Sequence, residues 1–339
     1  MERYFLGNNS AYGFFGNYEQ ELKDKNKVVL LKGGPGTGKS TILKKLAKEA
    51  EERGFDYELW FCSGDPKSLD GVFVKNLNIA VVDATAPHAT GADLPVIKDV
   101  IFDLASSLQR DKLAPHVEEI KRLLNCKKHS FMRAYQHLNI ALCHFKNQIA
   151  LEKDDVDDMK IRKFAIDSYA QIMDKIKAEI KDRKVFVSAI CPTGENVYFD
   201  HLIGRKIYKV EGCQTSTNVF FDMFKGLTQG TWLLNTLDPN YIDGVVLGDI
   251  AIVKDVGLEN DYEVLNLREF ERLRYADEIA EERNGVMLEE AFAVQELNRA
   301  REYHLEAEKY FVGAMDFENN EILFDRVRNE VFANRQDLT

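Results

Sequence analysis

The apolar pattern near the start of the chain predicts a helix between two buried strands. Lys27–Lys32 reads KVVLLK, a short run rich in β-branched residues that is typical of a buried strand. From residue 42 to residue 50 apolar side chains recur at helical spacing, and Gly54 is a suitable C-terminal stop. Residues 78–83 read NIAVVD and predict a second core strand, which ends in a carboxylate.

The segment that joins the first strand to the helix is rich in glycine. From Gly33 to Ser40 it reads GGPGTGKS, which matches the P-loop pattern G-x-x-x-x-G-K-S in its required strand–loop–helix context. Glycine lets the backbone approach a ligand closely, and successive amide N–H groups at a helix N-terminus form a concave donor set for phosphate oxygens. The residues expected to bind a nucleotide are Gly34, Pro35, Gly36, Thr37, Gly38, Lys39, Ser40 and Thr41.

Three side chains are candidates for catalysis at this loop: Lys39, Asp83 and Thr85. Lys39 would neutralise the β- and γ-phosphates, and Ser40 together with Asp83 would hold Mg²⁺. The alternative for Asp83 is a turn-forming role at the end of a strand. Thr85 and His88 stand where a group that senses the γ-phosphate or orients water could lie, although Thr85 is also typical of a turn or N-cap hydroxyl. No glutamate follows Asp83, so the carboxylate with which many ATPases activate water is missing at this point.

A weak internal repeat relates the two halves of the chain. Four pairs of matching positions follow one another in the same order: Phe5 and Phe186, Gly33 and Gly212, Asp65 and Asp238, and Ile79 and Ile250. The offset falls steadily from 181 to 171 residues, as small deletions within one ordered series would produce. This order predicts a duplication.

The second copy lacks the residues that would contact phosphate or Mg²⁺. The substitutions are Thr217 for Gly38, Asn218 for Lys39, Val219 for Ser40 and Lys254 for Asp83. They remove most of the electrostatic stabilisation of a triphosphate, so the second copy is predicted to bind nucleotide poorly or not at all. Asp65 and Asp70 have counterparts in this silent copy, which favours a turn-forming role for both. Action of Asp65 on water or metal is the alternative.

Each half continues into sequence with helical periodicity. Residues from about 95 to 182 form a predicted helical insertion, interrupted at Pro115 and at the acidic residues 153–158. In the second half, residues 287–312 and 316–336 predict a C-terminal helical hairpin. These helices are expected to be packing elements, with lids or partner surfaces as the alternative.

Composition excludes several classes of protein. With 45 Lys+Arg against 56 Asp+Glu, the net charge of −11 argues against a main role in binding nucleic acid or anionic lipid. No apolar run approaches the roughly 18–20 residues of a membrane helix, and the first residues lack the pattern of a secretory signal. The five Cys are scattered without a C-x-x-C pair, as in a reduced protein, so a cytoplasmic location is expected.

The glycine-rich loop and Asp83 resemble the P-loop NTPase superfamily. The chain as a whole resembles a group of bacterial ATPase-like proteins with two P-loop repeats, through the stretches FCSGDPKSLDGV, NIAVVDATAPH and YFVGAMDF. The resemblance covers most of the chain, is weakest at about 100–180, and implies an ATP-binding protein. In that group the second repeat often keeps a P-loop, and this chain departs from the group there.

The predicted fold is α/β, with two tandem P-loop NTPase-like three-layer α/β/α repeats, each with a helical extension. A length of 339 residues suits two domains. The predicted domains are a nucleotide-binding domain, residues 1–182, and a degenerate repeat, residues 183–339. The halves defined by these ranges are called the first half and the second half below.

Three functions remain open. The leading hypothesis is Mg²⁺-dependent binding and hydrolysis of a nucleoside triphosphate, with ATP favoured because no guanine-reading N-K-x-D string is present. The alternatives are a nucleotide or small-molecule kinase, and a module in which ATP binding alone orders an interaction surface. A protein partner could bind the helical extensions or the second half. A membrane partner is not expected, and nucleic acid is disfavoured.

Overall fold

The computed structural model describes residues 1–87, 93–254, 261–272 and 274–333. Within these residues, the first half contains β1 (Glu2–Tyr4), β2 (Gly7–Ser10), β3 (Gly13–Gly16), α1 (Tyr18–Leu22), β4 (Lys27–Lys32), α2 (Lys39–Glu52), β5 (Tyr57–Phe61), β6 (Leu69–Val74), β7 (Ile79–Asp83), β8 (Asp99–Asp103), α3 (Arg110–Leu113), α4 (Val117–Lys153) and α5 (Asp158–Met173). The second half contains β9 (Arg183–Val185), β10 (Ser188–Cys191), β11 (Gly194–Val197), β12 (Lys206–Glu211), α6 (Gln214–Leu227), β13 (Thr231–Leu234), β14 (Ile242–Leu247), β15 (Ile250–Val253), β16 (Tyr262–Asn266), α7 (Ala276–Gly313) and α8 (Phe317–Phe332).

Each half forms a six-stranded mixed sheet, and the two sheets have the same strand order. The first sheet is ordered β1-β5-β6-β7-β4-β8, and the second, taken from its β9 edge, is ordered β9-β13-β14-β15-β12-β16. The strands β4 and β12, each next to one edge of its sheet, are parallel to both neighbours. The strands β6 and β14 are each antiparallel to both neighbours. This equivalence, strand by strand, is what the predicted duplication requires.

The local elements around the glycine-rich loop follow the sequence pattern. The predicted strand Lys27–Lys32 is confirmed as β4, and the strand predicted at 78–83 is confirmed as β7. The helix between them is α2, which is followed by Gly54 at a φ of +72°. A positive φ of this kind favours glycine, so the chain leaves the helix at the expected residue.

Alternate residues of each strand pack on opposite faces of its sheet. Val29 and Leu31 of β4 lie in the outer cluster with α2 and α8, whereas Val28 and Leu30 face inward. The inner faces of both sheets share one hydrophobic cluster with α1 and the 3-10 turn at Leu202. The structure therefore corrects the three-layer prediction. Helices α2 and α8 cover the outer face of the first sheet, and α5 and α6 cover that of the second. The inner faces are covered by these short pieces and by the other half.

The two shorter helices of the extensions exchange halves. Apolar residues of α5 pack with α6 on the outer face of the second sheet, through Ile161, Ala165 and Ile172. Apolar residues of α8 pack with α2 on the first sheet, through Val327 and Val331. Each outer sheet face therefore buries a helix supplied by the opposite half.

The two long helices, α4 and α7, pack against each other. Their ion pairs join Arg133 to Glu296 at 2.8 Å and His144 to Glu282 at 2.7 Å, so the helices run antiparallel. The predicted interruptions at Pro115 and at residues 153–158 are confirmed, because α4 lies between them. The two helices predicted at 287–312 and 316–336 are present as α7 and α8, although α7 begins earlier, at Ala276. The predicted hairpin is wrong, because α7 packs on α4 whereas α8 packs on the first sheet.

One strand was missed within the segment predicted as a helical insertion. Residues Asp99–Asp103 form β8, which pairs in parallel with β4 at the edge of the first sheet. Its sequence, DVIFD, is short and flanked by acids, so apolar periodicity alone does not identify it. Among the described residues, no helix is long and apolar enough to cross a membrane.

Candidate functional site

The glycine-rich loop, residues 33–40, follows the carboxyl end of β4 and leads directly into α2. Gly36 has a φ of +66° and Gly38 a φ of +86°. Gly38 is the N-cap residue of α2, and its carbonyl accepts a hydrogen bond from the amide of Ile42 at 2.9 Å. Side chains disfavour this left-handed backbone, so these glycines allow the tight turn that directs amide N–H groups along the start of the helix.

Lys39 and Asp83 face each other beside the loop. The Lys39 Nζ donates hydrogen bonds to the carbonyl oxygens of Gly33 and Gly34, each at 2.9 Å. It also lies 3.7 Å from Asp83 Oδ2, and both side chains are mostly buried. Because β4 and β7 are parallel neighbours, the two strands deliver the loop and the carboxylate to the same edge of the sheet.

The hydroxyl groups near the loop are engaged with the backbone. Ser40 Oγ accepts a hydrogen bond from the amide of Leu69 at 3.0 Å. Thr37 Oγ1 donates to the carbonyl of Gly34, and Thr85 Oγ1 donates to the carbonyl of Gly33, both at 2.9 Å.

Two of the predicted threonines, Thr85 and Thr41, differ in their surroundings. The amide of Thr85 donates to Asp83 Oδ1 at 2.8 Å. Thr85 therefore forms hydrogen bonds with both the carbonyl of Gly33 in the loop and the Asp83 carboxylate. Thr41 lies exposed in the first turn of α2. His88 lies outside the described residues.

At the equivalent place in the second half, two carboxylates bind the start of the helix. Glu271 Oε1 accepts hydrogen bonds from the amide of Cys213, at 2.7 Å, and from the hydroxyl of Ser216. Glu152, on α4 of the first half, accepts a hydrogen bond from the amide of Thr215 at 2.8 Å. Helix N-termini attract negative charge, so the second half satisfies the start of α6 with carboxylates from its own chain.

The loop of the first half is covered differently. Among the described residues, no side-chain carboxylate accepts a hydrogen bond from the amides of residues 34–40. Instead, α7 covers the loop. A Cβ built on Gly34 would lie 3.3 Å from the ring of Phe311, and one built on Gly36 would lie 2.8 Å from Val312 Cγ2 and 2.9 Å from Glu308 Cγ. The loop of the first half therefore lies against a helix of the second half.

The acids considered in the sequence have different partners. Asp65 accepts from Ser68 Oγ at 2.8 Å and from Arg301 Nε of α7 at 3.1 Å. Asp70 accepts from the Tyr18 hydroxyl at 3.0 Å. The contact between Asp65 and α7 shows that this acid does more than shape a local turn.

Two basic residues near the loop were missed in the sequence. Lys127 of α4 and His304 of α7 meet with Nζ and Nδ1 3.0 Å apart. Burial lowers the pKa of His304 to about 4, and the charges of Lys127 and Lys39 contribute. Burial also lowers the pKa of Lys127, and the charge of Lys39 adds to this effect. No local pattern could have revealed the pair, because its members are 177 positions apart and on different helices.

Comparison of the chain with protein-family models, with curated proteins and with solved structures finds no match. Interpretation of the site therefore depends on its own geometry and on the contrast between the two halves. Both loops follow equivalent strands, β4 and β12, and only the second loop is bound by carboxylates in the described structure.

Proposed function

We propose that the chain binds and hydrolyses a nucleoside triphosphate, with ATP favoured and Mg²⁺ as the metal, at the glycine-rich loop of the first half. One contrast carries the proposal. Lys39 and Asp83 lie 3.7 Å apart beside that loop, whereas Glu152 and Glu271 bind the start of the equivalent helix in the second half. On this proposal, β4, the loop, α2 and β7 form a P-loop NTPase site, and the second half is a degenerate copy.

The residues of the loop have distinct roles on this proposal. The amides from Gly34 to Ser40 donate hydrogen bonds to phosphate oxygens, and the dipole of α2 favours their negative charge. The Lys39 ammonium exchanges the carbonyl oxygens of the loop for oxygens of the β- and γ-phosphates. Thr41, in the first turn of α2, contacts the α-phosphate on this proposal. Thr85, which bonds both Gly33 and Asp83, responds to the γ-phosphate.

The residues at the loop suit Mg²⁺. The Ser40 hydroxyl and the Asp83 carboxylate are hard oxygen ligands, and Mg²⁺ is commonly held by one or two such groups together with phosphates and water. Among the described residues, no group of three or more His, Cys, Asp or Glu side chains could hold a metal ion. A metal held largely by the nucleotide is compatible with that finding. When bound, it would neutralise charge that develops on the transferred phosphoryl group.

The test is steady-state phosphate release from ATP with and without Mg²⁺. We expect release to fall to background in Lys39→Ala, because that substitution removes the charge beside the phosphates. Asn218→Ala is the matched control, since Asn218 holds the equivalent position in the second half, and we expect it to leave release unchanged. Phosphate release that persists at the wild-type rate in Lys39→Ala would contradict the proposal.

A nucleotide-gated binding module is the second candidate, and the packing of α7 on the loop favours it. Phe311 and Val312 of the second half lie against Gly34 and Gly36, so a nucleotide in the loop would directly affect how the halves contact. This candidate predicts that ATP raises the melting temperature while phosphate release stays negligible. Substantial turnover that depends on Lys39 would exclude it.

A further inference from the structure

A pair of basic side chains, Lys127 and His304, joins the two halves beside the glycine-rich loop. Lys127 lies on α4 and His304 on α7, and the ammonium approaches the imidazole nitrogen at 3.0 Å. Both residues are partly buried. Among the described residues, no carboxylate lies within 4.0 Å of Lys127 Nζ, and its other contact is the ring face of Phe131 at 5.9 Å. A partly buried ammonium without a carboxylate is costly unless an anion compensates it.

The pair lies close to the loop. One turn of α7 after His304, Glu308 contacts Gly36. Two turns after His304, Phe311 contacts Gly34. Burial is the main cause of the lowered pKa of both Lys127 and His304, and the charge of Lys39 contributes to each.

Two other basic groups of this region are matched by carboxylates. Arg301, one turn before His304 on α7, lies 3.1 Å from Asp65. Lys39 lies 3.7 Å from Asp83. The carboxylate of Glu308 on α7 acts on Lys127 from a distance, but among the described residues Lys127 forms no ion pair within 4.0 Å. Its ammonium can therefore still donate to an anion from outside the chain.

The second half supplies an internal control. Three buried positions of α4 correspond to three buried positions of α7 at a constant offset of 159 residues: Ala134 and Ala293, Leu138 and Leu297, and Ala141 and Ala300. The same offset matches Lys127 with Val286 and His304 with Phe145. Val286 and Phe145 line a cavity of about 600 Å³ at the end of β12, next to Gly212 and Gln214. Apolar residues thus replace Lys127 and His304 in the second half, which also lacks the counterparts of Lys39 and Asp83.

We infer that Lys127 and His304 bind the terminal phosphate of a triphosphate held in the glycine-rich loop, and so distinguish a triphosphate from a diphosphate. This inference rests on the proposed function of the loop. The ammonium of Lys127 donates hydrogen bonds to terminal phosphate oxygens, and His304 donates from a ring N–H once it turns from Lys127. Because one residue comes from each half, the terminal phosphate connects α4 with α7.

The experiment compares the affinities of ATP and ADP, each with Mg²⁺, by titration calorimetry on the full chain. In Lys127→Ala we expect ATP affinity to fall about tenfold or more, the loss of one charge-assisted hydrogen bond. ADP affinity is expected to stay within about twofold, because ADP lacks the group that Lys127 contacts. His304→Ala should reduce the ATP preference in the same direction, and Lys127→Arg should preserve it. Lys128→Ala is the matched control, since Lys128 is the exposed neighbour of Lys127 on α4.

The possible outcomes separate this inference from the proposed function. If wild type binds both nucleotides and Lys127→Ala keeps the wild-type ratio of ATP to ADP affinity, the inference is overturned and the proposed function stands. If wild type binds neither nucleotide, both are overturned. A variant that fails to fold is recognised by its thermal melt, and Lys127→Gln then gives the same comparison with a side chain of similar length.

Discussion

The carboxylate of Glu152 offers a direct test of the contrast between the two halves. Glu152 is fully buried, although it belongs to α4 of the first half and acts at the start of α6 in the second. It accepts hydrogen bonds from the amide of Thr215 at 2.8 Å and from Gln148 Nε2 at 2.7 Å, with Arg283 at 3.6 Å. We predict that Glu152→Ala markedly destabilises the chain.

The magnitude follows from these contacts. Hydrogen bonds to a charged group contribute about 1.5–3 kcal/mol each, and favourable charge at a helix N-terminus adds up to about 1 kcal/mol. Two such bonds therefore give a loss of about 3 kcal/mol or more in the free energy of unfolding. Arg283 adds little to this figure, because half of its side chain is exposed and its charge remains solvated. Glu152→Gln keeps an acceptor oxygen without the charge, so we expect about half of the loss.

Urea denaturation monitored by fluorescence measures the loss. Trp232 lies in β13 of the second sheet, so in a Trp60→Phe background its emission reports on the half that Glu152 stabilises. Gln136→Ala, an exposed position on the same helix, is the control and should have no measurable effect. A loss below about 1 kcal/mol in Glu152→Ala would refute the view that its carboxylate takes the place of an anion at α6.

Three further predictions address other features of the fold. Gly38→Ala should cost about 1–2 kcal/mol of stability, because an alanine disfavours the left-handed backbone of this position. Its Cβ would also lie 2.9 Å from a side-chain nitrogen of α8, so the loop should shift and stabilisation by ATP should be abolished. Gly54→Ala is the control: it has open space around it and should cost stability alone. Burial would raise the pKa of Glu58, but Arg183 and other basic partners outweigh it and lower the pKa to about 2. The contribution of Glu58 to the free energy of unfolding should therefore be lost as pH falls from 4.5 towards 2. Acid titration of wild type should show this loss, and Glu58→Gln should not. Val327→Ala, a substitution in the second half, should destabilise the first sheet by about 2 kcal/mol in urea denaturation, because Val327 packs there.

Much of the region around the loop could be predicted from sequence because it depends on local pattern. Lys27–Lys32 and the loop after it carry their own signals, namely an apolar run, glycines and a helical stripe. The repeat then predicted that the second half has an equivalent sheet, and the strand order agrees with this. The substitution of Asn218 for Lys39 also predicts, from sequence alone, which copy lacks a complete site.

The exchange of helices could not be predicted, for a physical reason. The apolar stripes of α5 and α8 specify that each helix packs on something, but either sheet offers an apolar outer face. The choice depends on how α4 and α7 carry the chain across the molecule. Glu152, Lys127 and His304 lie on those long helices, and periodicity places them among ordinary polar residues until the partner helix is known.

The two loops differ most where the opposite half covers them. Phe311 lies over the loop of the first half, and at the offset of α4 and α7 its counterpart is Glu152, whose carboxylate binds the start of α6. With Phe311 at this position, the amides of the first loop have no carboxylate acceptor among the described residues. With Glu152 at the equivalent position, the second loop has an anion from its own chain. Since each covering residue comes from the opposite half, neither loop has its final environment until both halves are folded together. On the proposed function, a nucleotide would act at the first loop alone, and its effect would reach the second half through α7, which already contacts Gly34 and Gly36.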